Sequence, residues 1–74
     1  MNEYFGLREL PKRYQKVRTK VEFSGVPVGS IGTVVDHYQM GKGQYGVTIR
    51  WSRSPGDKLE DGFSKSDYAL LEEV

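Results

Sequence analysis

A chain of 74 residues without a single cysteine has room for one domain and buries only about 60% of the surface it exposes when unfolded. Neither disulfides nor Cys-ligated zinc can reinforce it, and its net charge of +1 is not that of a polycation that grips nucleic acid by charge alone. No apolar run approaches the ~18–20 residues of a membrane span, and the opening MNEYFGLREL has early acids and no apolar block. The chain is therefore expected to lack a signal peptide and to work in a reducing cytoplasm.

In chain order, residues 1–15 form a first unit, an N-terminal arm. Tyr4, Phe5, Leu7 and Leu10 make an apolar patch suited to one helical turn, and Pro11 ends it. Such an arm is either an unstructured tail or a segment that packs on a neighbouring subunit. Residues 16–74 form the second unit. From Val17 the pattern alternates, with Val17, Thr19, Val21 and Phe23 on one face and Arg18, Lys20, Glu22 and Ser24 on the other, as in a half-buried strand. Gly25 to Gly29 is a loop, Ile31 to Tyr38 a second strand, and the glycine-containing stretch Met40 to Gln44 a hairpin turn. The third strand, Tyr45 to Trp51, puts Tyr45, Val47, Ile49 and Trp51 on one face. Residues 52–57 contain Pro-Gly-Asp and read as a turn. A fourth strand runs near Leu59 to Phe63, a helical turn starts at Ser64 or Ser66 and passes through Asp67 and Tyr68, and Leu70 to Val74 closes the sheet. The fold class is therefore all-β: a five-stranded SH3-like barrel with one short helical turn before the last strand and an irregular or helical N-terminal arm. Closure would remove most exposed strand edges.

Charge is spread unevenly. Residues 1–20 carry six bases and two acids, and residues 57–74 six acids and two bases. Either the two ends lie side by side and neutralise each other, or a basic face for phosphates stands beside an acidic one.

The run Val21, Phe23, Gly25, Gly29, Gly32 and Val34 resembles the KOW motif of ribosomal proteins and transcription elongation factors, a strand-loop-strand unit of SH3-like barrels. The resemblance covers about a fifth of the chain and implies glycines at loop positions needing φ > 0, with the apolar residues in the core. Val28 stands where that family has a basic residue before Gly29. From Val17 onward the chain is also similar to small barrels of bacteria and mobile genetic elements, including the plasmid-borne type II dihydrofolate reductases, which work as tetramers. The family's pore-lining Val-Gln-Ile-Tyr run is missing; Leu59-Glu60-Asp61-Gly62-Phe63 stands in its place, and no catalytic residue carries over.

Enzyme signatures are weak. Gly41-Lys42-Gly43-Gln44-Tyr45-Gly46 spells GxGxxG, but β-formers follow where a dinucleotide site needs a helix. His37 and Asp36 are adjacent on a strand and point to opposite faces, as do Glu60 and Asp61, so neither pair forms a catalytic dyad. With one histidine and no cysteine, no metal site and no cofactor are expected. The contact candidates are the aromatics Tyr38, Tyr45, Trp51, Phe63 and Tyr68, with Lys42, Arg50 and Arg53 supplying charge; Tyr45 and Trp51 also suit the core. The expected function is a non-enzymatic, self-associating interaction module that binds a protein partner through one side of the barrel. Two alternatives remain: a KOW-like nucleic-acid-binding domain using Lys12, Arg13, Lys16, Arg18 and Lys20, and an oligomeric enzyme with its site between subunits.

Overall fold

The computed structural model describes residues 3–23, 25–52 and 58–74, with Lys58 by its backbone alone. Five antiparallel strands form one sheet: β1 (Lys16–Thr19), β2 (Ile31–Gly41), β3 (Gln44–Ser52), β4 (Lys58–Phe63) and β5 (Leu71–Glu73). Their order is β4-β3-β2-β1-β5, so the last strand returns to the first. The helical turn expected before the last strand is α1 (Lys65–Tyr68), and the arm carries a 3-10 turn at Leu7–Glu9. No ladder joins β4 to β5 among the described residues; α1 packs against both strands instead. The closure expected of a barrel is thus not found among the described residues: the sheet runs from β4 to β5 with those two strands as its edges.

The alternation on β3 sets the core. Val47, Ile49 and Trp51 are buried and join Phe5, Val17, Val26, Val34, Phe63 and Leu71 in one cluster. Gly32, opposite Trp51, leaves space there: a Cβ would lie 2.7 Å from Ile49 Cγ2 and 2.8 Å from Trp51 Cε3. The β2–β3 hairpin runs further than its sequence pattern suggested, with Gly41 paired to Gln44, leaving Lys42 and Gly43 to turn. Gly43 supplies the positive φ of 71° that a side chain resists.

The first strand is shorter than its alternation. At Thr19 the hydroxyl donates to the Val21 carbonyl (2.6 Å) and accepts from the Val21 N–H (3.2 Å), so a side chain takes over backbone groups that a ladder would have used. The chain bends away, and an isolated bridge between Phe23 and Val26 returns both residues to the core. Gly25 and Gly29 bound this loop with φ of 76° and 88°.

The arm packs on its own sheet. Phe5 is buried and exchanges backbone hydrogen bonds with Tyr45 at 2.9 and 3.0 Å. The Tyr14 N–H donates to the Val34 carbonyl, and the Val34 N–H to the Gln15 carbonyl. Glu9 is fixed by the Gly6 N–H and by Lys65 Nζ at 2.6 Å; the Lys65 hydrogen bond, first, holds its carboxyl below the ordinary glutamate range.

Candidate functional site

The aromatic and basic residues singled out in the sequence do not converge. Trp51 is only 1% exposed and cannot contact a partner: its ring packs edge-on to Phe23 and Phe63 at 5.3 and 6.0 Å. As the largest fully buried side chain, it satisfies the core demand that outweighs any contact role. Tyr68 is half-buried; its ring meets Phe5 edge-on at 5.6 Å and its hydroxyl donates to Glu73 Oε2 at 2.9 Å. Burial, then the bond to Glu73, pushes its phenol well above the ordinary tyrosine range. Lys42 is exposed at the hairpin tip, and Arg50 is held by Glu60 at 2.7 Å across β3 and β4. Arg53 and the Pro-Gly-Asp turn lie outside the described residues.

Tyr38 takes an outward position because the β2–β3 register shifts between Val34 and Asp36. Its ring lies over two glycines: a Cβ on Gly46 would collide with it, and one on Gly62 would press on its hydroxyl at 3.2 Å. Burial there raises its phenol above the usual value, with Asp67 adding to the effect.

The basic N-terminal run is largely occupied. Arg13 pairs with Asp36 at 2.9 Å, Arg18 with Glu72 at 2.8 Å, and Lys16 donates to Thr33 Oγ1 at 2.8 Å; Lys12 and Lys20 are exposed. The terminal segments lie side by side along the β1–β5 ladder, the neutralising arrangement of the two read from the charge distribution. His37 Nε2 stands 2.7 Å from the Pro11 carbonyl, an acceptor only, so that nitrogen carries the proton. Asp36 accepts from Arg13 and from the backbone N–H of His37, and the two side chains form no dyad. No cluster of three or more His, Asp or Glu able to hold a metal occurs among the described residues.

Of the residues that do converge, only Phe63 stood among the aromatic candidates of the sequence. Leu59, Asp61 and Phe63 sit opposite Trp51, Ile49 and Val47 on β4 and share their inward face, while Glu60 points outward with Arg50. With Phe23 from the bridged loop, Asp67 from α1 and Leu70 beyond it, they line a groove of about 400 Å³. The groove occupies the place where a β4–β5 ladder would lie. Its walls are apolar and its charge is acidic. Asp67 spends one oxygen, Oδ2, on the Ser64 hydroxyl and N–H at the start of α1. Asp61 is half-buried and has no hydrogen-bond or ion-pair partner among the described residues. The signal for this site was present in the alternation Leu59-x-Asp61-x-Phe63, which places one carboxylate between two apolar side chains on a single face. A second hollow lies between the arm and β5, walled by Phe5, Leu10 and Leu71 and rimmed by Glu9, Lys12 and Glu73; Glu9 is taken by Lys65.

No helix among the described residues is long and apolar enough to cross a membrane. Comparison with family models, curated proteins and solved structures gave no match.

Proposed function

We propose that this chain is a non-enzymatic interaction module of the cytoplasm that binds a protein partner through the groove between β4 and α1. One observation carries the reading: apolar side chains from three separate elements, Phe23, Leu59, Phe63 and Leu70, meet in one concave site beside a strand edge that is unpaired among the described residues. Concave, mostly apolar sites with a few placed polar groups are where proteins bind ligands.

A nucleic-acid role draws less support. Arg13, Arg18 and Lys16 are engaged within the chain, and the groove presents carboxylates, which repel phosphates. Self-association, where it occurs, falls outside β4 for the same reason of charge: antiparallel pairing of two β4 strands about Glu60 and Asp61 sets acids opposite acids.

The test is selection of a displayed random-peptide library on the immobilised protein, with Leu70→Glu as the counter-screen. Leu70 is 45% exposed, so this change leaves the fold intact. Selected peptides are expected to bind the natural chain and to lose at least tenfold in affinity on Leu70→Glu. Binding that ignores this substitution removes the groove from the account. Fluorescence anisotropy with short RNA and DNA at low salt gives the competing outcome: tight binding that falls steeply with added salt would establish nucleic acid as the partner.

A further inference from the structure

We infer that the groove takes an extended segment of a partner protein, added as a strand to the free edge of β4, with a lysine or arginine side chain delivered to Asp61. This deepens the reading above and rests on it. β4 has β3 on one side and no strand on the other among the described residues, so half of its backbone N–H and C=O groups face outward, a template for a further strand. Groups left in this way gain hydrogen bonds from any extended chain, whatever its sequence. The side chains beside the edge supply the selection.

Asp61 determines what is selected. It stands on the inward face of β4 between Leu59 and Phe63, opposite Ile49, half-buried and without a hydrogen-bond or ion-pair partner among the described residues. A cation arriving from the ligand gives this carboxylate the ion-pair partner it lacks among the described residues. Lysine and arginine fit the approach, because their apolar stems lie against walls such as Phe23 and Leu70 while the charged head reaches the carboxylate. Residues two positions to either side of the cation fall on the same face of an added strand, so apolar side chains there meet the groove walls. A second copy of this chain is a poor occupant, since its β4 brings Glu60 and Asp61 against the same acids.

The experiment uses the full chain and a displayed library of random seven-residue segments, followed by synthesis of the enriched peptides. Enrichment of one Lys or Arg with apolar residues two positions away is expected, with binding weakened on the order of tenfold or more by Asp61→Asn and by raising salt on the unaltered protein. Methylation of alternate peptide nitrogens is expected to abolish binding, because it removes the donors of an added strand. Enriched peptides that lack a base, or that bind Asp61→Asn equally well, overturn the inference while leaving a protein-binding groove in place. Tolerance of nitrogen methylation overturns strand addition. No enrichment, or binding untouched by Leu70→Glu, overturns the underlying reading instead.

Discussion

Two seams of this molecule face the same structural problem and resolve it differently. Where the N- and C-terminal segments meet, β1 and β5 pair over three positions, from Val17 and Glu73 to Thr19 and Leu71. Backbone bonds from Lys20 to Leu70 and from Val74 to Lys16 extend that pairing, and Arg18–Glu72 and Lys65–Glu9 add ion pairs. Between β4 and β5 no ladder forms among the described residues, and a groove lies there with a carboxylate, Asp61, that has no partner among those residues. The first seam spends its polar groups internally, so stability resides there. The second leaves polar groups and apolar walls available, which is what the proposed binding requires.

The same substitution in each seam should separate the two most clearly. Leu71 is the buried anchor of the three-residue β5, and Leu71→Ala is expected to cost about 2–5 kcal/mol. Leu59, half-buried in the groove wall, should cost about 1 kcal/mol as Leu59→Ala. Urea midpoints compare them directly; equal losses would erase the distinction. Next in size is Gly32→Ala, which drives a methyl into Ile49 and Trp51 in the core and should cost about 1–3 kcal/mol.

Alkaline pH probes the closed seam. The Tyr68 phenol is raised in the folded chain above the unfolded value of about 10. Its contribution is complete below pH about 10 and is lost as pH rises through the folded value, because the unfolded chain releases its proton first. Stability should therefore fall above pH about 10, and Tyr68→Phe should flatten that decline. Denaturant midpoints at pH 8 and at pH 11 measure the difference, and parallel declines would contradict it. The smallest effects concern single charges. Arg18→Ala, at an exposed pair, is expected to cost about 0.2–1 kcal/mol, fading with salt. Asp61→Asn should cost nothing or stabilise slightly, since it removes an unpartnered charge from the groove; a clear loss would show that Asp61 supports the fold.

Much of the strand content was legible because period-two alternation survives burial on one face. The third strand, Tyr45 to Trp51, lies within the observed Gln44–Ser52, and the helical turn near Asp67 and Tyr68 is present, capped by Ser64 through the Asp67 N–H. The first strand was misjudged in length: Val21 and Phe23 keep the alternation, but Thr19 diverts the backbone while Phe23 still reaches the core. The site was less legible, because residue type alone leaves a core role and a contact role open. Aromatic character at Trp51 reports area to be buried as readily as area to be offered.

By itself, the sequence determined the class of the fold, the inward set Val47, Ile49 and Trp51, the turn at Gly43 and the opposite charges of the two ends, whose side-by-side placement the β1–β5 ladder decided. These follow from local rules: alternation, glycine's access to positive φ, and charge. Tertiary structure alone decided which seam closed and which stayed open. The register shift after Val34 turns Tyr38 outward over Gly46 and Gly62; β4 and β5 stay unpaired with each other among the described residues; Phe5 is drawn from the arm into the core. Each depends on how distant segments fill shared space, and no spacing along the chain encodes that competition.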